Sequence, residues 1–263
     1  MAEDTAQPRR IEINCDMGEG FGRWKMGPDE DLMRYVDVAN IACGFHAGDP
    51  STMLRTVRLA KQHGVAIGAH PGMPDLIGFG RRRMDIAPDD MYAMVLYQVG
   101  ALVAVLTAEG VRLNHVKPHG ELYFYIQRDA AIRDAVLRAV RTFDVPIYGL
   151  PTKHMVDDCE RVGLKLIPEF YVDIDYNDQG ELLPVAESTP VTPELVAQRI
   201  HTFTSRGQTI SKSGNTVDIP VDRQAFSICI HSDLPGAVEN ATAARTAVDK
   251  SKADNKQFFT YYA

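Results

Sequence analysis

Short runs rich in branched and aromatic residues alternate with longer amphipathic stretches along this chain. The runs at 11–16, 38–46, 65–70, 111–119, 145–150, 164–173 and 226–233 predict strands. The stretches at 49–63, 88–109, 129–143, 153–162, 192–205 and 235–250 predict helices. The first is opened by Asp49-Pro50 and closed by His63-Gly64, a capping residue and helix-starting proline at one end and a glycine stop at the other. Strand followed by helix, repeated, implies a parallel sheet with right-handed crossovers. Seven strands without an intervening linker predict one closed or nearly closed β/α barrel over 10–263, behind a tail at 1–9. An open doubly wound sheet is the rival arrangement. The segment 174–191 and a hairpin-like 206–222 are the expected insertions.

Successive strand side chains face opposite ways, so parity sorts each run into two faces. Ile11, Ile13 and Cys15 oppose Glu12, Asn14 and Asp16; Phe226, Ile228 and Ile230 oppose Ser227, Cys229, His231 and Asp233. The run at 38–46 carries Asn40 and His46 on one face. The third run carries Gly68 and His70 together, and the fourth His115, Lys117 and His119. Glu169, Tyr171 and Asp173 share a face in the sixth. One face of each strand is apolar enough to pack under helices, while the other is small or polar and ends in an ionisable group. Barrel enzymes place reacting groups at the C-terminal rim on the inner face, so Asp16, His46, His70, Lys117, His119, Asp173 and His231 should converge. His63, His154 and His201 lack that context and read as surface or capping residues.

Composition narrows the picture. The net charge is −7 and no basic stripe appears, which argues against nucleic acid or an anionic membrane as partner. The opening MAEDTAQPRR is polar and reads as no signal peptide, and no apolar run is expected to approach transmembrane length, so a cytoplasmic protein is expected. The four cysteines, Cys15, Cys43, Cys159 and Cys229, lack CxxC spacing and read as buried free thiols. No GxxxxGK[ST] loop is present.

Several segments, in order, resemble the LamB/YcsF family: INCDMGEGFG (13–22), NIACGFHAGDP (40–50), GVAIGAHPGMPDLIGFGRR (64–82), YQVGAL (97–102), HVKPHGELY (115–123) and, more weakly, CIHSD (229–233). The resemblance implies a distorted seven-stranded β/α barrel, similar to the glycoside hydrolase/deacetylase barrel. It also implies the activity of the A component of ATP-dependent 5-oxoprolinase, which opens the 5-oxoproline lactam to glutamate with two other subunits supplying ATP activation. On that reading Asp16, Glu19, His46, His70, Lys117 and His119 are the catalytic candidates, with Asp16 or Glu19 as acid or base and Lys117 stabilising an oxyanion. Asn14, Asp49, Arg81, Glu169, Asp173 and His231 are the substrate-binding candidates.

The second half departs from the family pattern, because Ile174 and Val185 stand where arginine is usual. An apolar side chain cannot replace the bidentate grip of arginine on a carboxylate or phosphate. Two alternatives therefore stay open. One is a stand-alone hydrolase of another lactam or cyclic amide, with a divalent metal held by Asp16, His46, His70 and His119. The other is a non-catalytic substrate-binding subunit.

Overall fold

The computed structural model describes residues 10–219 and 225–254; the expected tail at 1–9 and the end of the segment 206–222 lie outside them. Seven parallel strands close a barrel: β1 (Arg10–Met17), β2 (Val38–Ala42), β3 (Ala66–His70), β4 (Leu113–Val116), β5 (Ile147–Gly149), β6 (Leu166–Tyr171) and, after the hairpin β7 (Gln208–Ile210) and β8 (Thr216–Asp218), β9 (Ala225–His231), which pairs back onto β1. The closed barrel, rather than the open sheet, is thus the architecture, and the antiparallel β7–β8 pair is the expected hairpin.

Parity sorts the two faces as the pattern requires. Ile11, Ile13, Cys15, Ile41, Ile67, Phe170, Phe226, Ile228 and Ile230 belong to the apolar core packed beneath the helices. Each fully buried aliphatic or aromatic side chain there contributes about 1.5–3 kcal/mol. The helices are α1 (Asp29–Leu32), α2 (Pro50–His63), α3 (Pro88–Ala108), α4 (Gly120–Arg128), α5 (Ala130–Arg141), α6 (Lys153–Val162), α7 (Pro193–Arg206) and α8 (Ala237–Asp254). By length and composition α3 is apolar enough to cross a membrane. In the fold it lies against α2, α5 and the barrel, burying Met91, Val95, Val99, Leu102 and Leu106, a stripe at helical spacing.

The strands β2, β4, β5, β6 and β9 end earlier than their sequence patterns, by the widest margins at β2 and β4. β2 stops at Ala42, and Gly44 and Gly48, both at positive φ, turn the chain so that His46 arrives from a loop. β4 stops at Val116 and leaves Lys117 and His119 on the stretch leading into α4. Helix α4 falls where no element was predicted, and Leu122, Tyr123 and Ile126 form its buried face.

Candidate active site

The barrel interior is polar, and its residues stack in layers. At the lower end Tyr148 donates to Glu12, and its ring stacks on His115 with centroids 3.8 Å apart. His115 Nε2 donates to Asn40 Oδ1 at 2.6 Å. Only glycine fits at position 68, because a Cβ there would stand 2.0 Å from the His115 ring. Asn40 Nδ2 donates to Asn14 Oδ1 and to Asp16 Oδ1, both at 2.8 Å, and Asn14 Nδ2 donates to Ser227 Oγ at 2.7 Å and Glu169 Oε1 at 3.1 Å. These fixed amides are a platform for the layer above.

In that layer Lys117 Nζ lies 2.8 Å from Asp16 Oδ1, 3.1 Å from Asn14 Oδ1, 3.5 Å from Glu169 Oε1 and 2.9 Å from Cys229 Sγ. Burial works against the ammonium, but Asp16 foremost, with Cys229 and Glu169, holds its pKa well above the ordinary value. Burial also pushes Asp16 upward, yet His70 and Lys117 outweigh it and hold the carboxyl well below the usual range. Asp16 is therefore an ionised base and Lys117 a fixed cation. Asp16, Cys229 and His231 bring ligand-type atoms within 4.8 Å of one another, but the Lys117 ammonium already lies against two of the three.

His231 Nδ1 is 3.0 Å from Asp173 Oδ1, and its backbone N–H donates to Asp173 Oδ2 at 2.6 Å. Burial opposes the imidazolium, and Asp173 overcomes it, raising the His231 pKa. Its Nε2 lies 4.0 Å from Cys229 Sγ and 3.8 Å from Asp16 Oδ2. On the other side of Asp16, His70 Nε2 is 3.2 Å from Oδ2.

Beyond His70 lies a second group. His46 and His119 stack with ring centroids 3.7 Å apart, and His119 Nδ1 is 3.0 Å from His70 Nε2. Glu19 Oε1 faces His46 Nε2 at 3.3 Å, His119 Nδ1 at 3.4 Å and His70 Nε2 at 4.0 Å. Burial pushes the Glu19 carboxyl well up, helped by Asp16 and Asp233. Burial holds His46 and His119 well below the ordinary histidine value, reinforced by their histidine neighbours. Glu19, His46, His70 and His119 offer four ligand-type atoms within 4.8 Å of one another, a group able to hold a metal ion.

A cavity of about 410 Å³ opens over these layers. Asp16, His70, Lys117, His119 and His231 form its polar floor, and Arg81 stands at its side, ion-paired to Asp233 at 2.8 Å. The insertion after β6 supplies an apolar wall that includes Ile174, Leu182 and Val185. Other predicted site residues sit elsewhere. Glu19 and His46 border a separate cavity of about 230 Å³ behind His70 and His119. Asp173 stands behind His231, and Asn14 and Glu169 lie below the cavity, holding Lys117. Asp49 is outside it altogether. Its carboxylate accepts from the Ser51 and Thr52 N–H groups, the Thr52 hydroxyl and the Gly22 N–H, so it caps α2 and anchors the loop after β1. The proposed metal set changes too: Glu19 joins the three histidines, while Asp16 Oδ1 is engaged by Lys117 and Asn40. His63, His154 and His201 are exposed.

Tyr123 escaped the sequence reading because it belongs to α4. It is 3 % exposed, lines the cavity and stands beside Tyr171 and Glu169; burial foremost, with the Glu169 charge, raises its pKa. Its signal was the Leu122, Tyr123, Ile126 spacing.

A family model, the LamB/YcsF family, matches residues 11–261. The chain belongs to the LamB/YcsF family. Other sequences bear out the match. A protein named lactam utilization protein lamB from Emericella nidulans is 43% identical, covering 92% of this chain and 95% of its own. A protein from Bordetella parapertussis, named as the A-type subunit of 5-oxoprolinase, is 44% identical, covering 92% and 96%. The solved structure of a lactam utilization protein from Thermus thermophilus superposes with a TM-score of 0.84 at 41% identity, covering 92% of this chain and 97% of that one. This LamB/YcsF chain therefore spans nearly the full length of each and shares the barrel fold of the solved structure.

Proposed function

We propose that this chain opens the ring of a small lactam by adding water across its amide, as the A component of a cytosolic multi-subunit system whose partner subunits couple the step to ATP. One observation carries the chemistry: an ionised carboxylate, a fixed ammonium and a carboxylate-held histidine share the floor of one cavity. Lactam hydrolysis needs a base for the attacking water, positive charge for the oxyanion and an acid for the departing nitrogen. Asp16 accepts the water proton as the oxygen bonds to the carbonyl carbon. The Lys117 charge stabilises the oxyanion, with the Tyr123 hydroxyl at the cavity lining as a second donor. His231, kept protonated by Asp173, gives its proton to the ring nitrogen as the C–N bond breaks. The products are a carboxylate and an amine.

An amide carbonyl is a poor electrophile, so coupling to ATP activates it. With no GxxxxGK[ST] loop in the chain, ATP handling falls to the partners. The names of relatives, which make them one lettered component of a larger enzyme, support that division. Four buried free thiols suit a reducing compartment. The test follows amine release from 5-oxoproline and from 2-pyrrolidinone, with and without ATP and the other subunits of a 5-oxoprolinase. Turnover that requires this chain, ATP and the partners supports the reading. Ring opening by the chain alone would make it a stand-alone hydrolase, and partner-driven turnover unaffected by Asp16→Asn would give it a binding role only.

A further inference from the structure

The two histidines nearest the substrate cavity have their tautomers set from behind. His70 Nδ1 lies 2.7 Å from the Lys117 carbonyl, and His119 Nε2 lies 2.8 Å from the Phe79 carbonyl. A carbonyl oxygen only accepts, so both of these nitrogens carry the hydrogen. In the neutral rings the opposite nitrogens, His70 Nε2 and His119 Nδ1, present lone pairs to each other across 3.0 Å, whereas a proton on His70 Nε2 would go to Asp16 Oδ2 at 3.2 Å. Glu19 Oε1 and Asp16 Oδ2 face the same place, and both are acceptors when ionised. His46 Nε2 completes the ring of atoms, 3.3 Å from Glu19 Oε1. Acceptors crowded together with no assured donor need a cation or a proton between them. Glu19 and His46 are buried to 3 % and 0 % exposure, and Glu19 Oε2 and His46 Nδ1 have no partner among the described residues.

We propose that Glu19 Oε1, His70 Nε2 and His119 Nδ1 bind one divalent transition-metal ion of the zinc class. The proposal rests on the lactam reading only for its purpose, since it puts a cation beside Asp16 at the cavity floor. Ligands held 2.0–2.1 Å from a tetrahedral ion stand about 3.3 Å apart. The distances among these three atoms are 3.0, 3.4 and 4.0 Å. Two imidazoles and a carboxylate are a donor set of zinc, iron or cobalt rather than magnesium or calcium. The carbonyls behind His70 and His119 are the outer partners that orient such ligands. His46 supports the site without binding the ion: its ring lies parallel to that of His119 with centroids 3.7 Å apart, so its in-plane lone pair does not meet the same ion, and it packs against Gly72, where a Cβ would come 2.4 Å from Nδ1. The site has two approaches, through His70 and His119 from the main cavity and through Glu19 and His46 from the smaller one bordered by Trp24, Leu76 and Phe79.

The test needs no lactam, so its failure leaves the lactam reading standing. The full chain is stripped with a chelator and titrated with Co²⁺, and metal content is measured after dialysis against Zn²⁺. One ion per chain is expected, with visible cobalt absorption of low coordination number and hyperfine-shifted N–H signals from the His70 and His119 imidazoles. Glu19→Gln and His119→Gln should each weaken binding more than about a hundredfold, beyond the ten- to hundredfold typical of an outer-sphere loss. His201→Gln, on the exposed face of α7, should leave it unchanged. Wild-type protein that takes up no stoichiometric ion and shows no shifted imidazole signals overturns the proposal and makes the cluster a proton-sharing network. Full-strength binding in folded Glu19→Gln and His119→Gln places the ion elsewhere and overturns it equally. The wild-type spectra alone decide the matter if the variants do not fold.

Discussion

The Lys117 ammonium and the Asp16 carboxylate meet 2.8 Å apart inside the barrel, at 2 % and 4 % side-chain exposure. The contact joins the end of β1 to the stretch after β4, so it ties strand positions together and sets the charge of the cavity floor. Removing one partner leaves the other buried and uncompensated, which costs about 3–5 kcal/mol. Lys117→Met should therefore lower both turnover, by roughly a hundredfold or more, and thermal stability. The double variant Asp16→Asn/Lys117→Met should recover much of the stability and none of the activity. Melting curves of the two single variants and the double check this, and additive destabilisation would show that the pair is not coupled.

The Asp173–His231 pair gives a pH prediction with a definite sign. Asp173 raises the His231 pKa, so the pair contributes stability fully present below the unfolded histidine value and lost as pH rises through the folded one. If the same proton goes to the leaving nitrogen, kcat has an alkaline limb at that folded value. Asp173→Asn keeps the shape of the carboxyl but removes its charge, so the limb should move to lower pH. A pH–rate profile unchanged by this variant would remove His231 from the acid role.

Much of the architecture was readable because period-two parity is a strong signal wherever one strand face must be greasy. The faces of β1, β6 and β9 follow it residue by residue. Parity could not place His46 or Glu19, however. The strand before each has ended, and glycines at positive φ (Gly18 after β1, Gly44 after β2) set the direction of the chain. Asp49 misled for a related reason: a carboxylate before Pro50 reads equally as a helix cap and as a ligand, and only the hydrogen bonds to α2 decide. Asn14 and Glu169 were correctly sorted to the inner face, but their depth depends on strand stagger, which no single strand pattern encodes.

Asp29 offers a stability test away from the cavity. Burial, only partly offset by the Gly18 N–H, pushes its carboxyl up to about 6. A carboxyl with a raised folded pKa contributes stability below its unfolded value and loses it as pH climbs toward 6, so at neutral pH the charge costs on the order of 2 kcal/mol. Asp29→Asn can keep the Gly18 contact, seen at 2.8 Å, without the charge. It should raise the melting temperature at pH 7.5 and make little difference at pH 4. A variant less stable than wild type at both values would mean that the ionised carboxylate is needed where it is.

The cavity wall makes the last prediction, about which lactam fits. Ile174 is buried at 3 % exposure and Val185 is half-buried, and both line the cavity with Leu182, where the family pattern usually brings arginine. Lys117 is already held by Asp16 and Glu169, and Arg81 is paired with Asp233, so neither is an open grip for a substrate carboxylate. A carboxylate that loses an arginine partner forfeits about 1.5–3 kcal/mol, roughly ten- to a hundredfold in affinity. 2-Pyrrolidinone, the ring without the carboxylate, should therefore bind at least as tightly as 5-oxoproline. Val185→Arg, at the half-buried position where a longer side chain can reach into the cavity, should shift the preference toward 5-oxoproline by about tenfold or more. Calorimetric titration of both lactams into both proteins measures it. A hundredfold preference of the wild type for 5-oxoproline would show that Arg81 or another cation turns from its carboxylate partner to grip the substrate, and that the apolar wall does not choose the ligand.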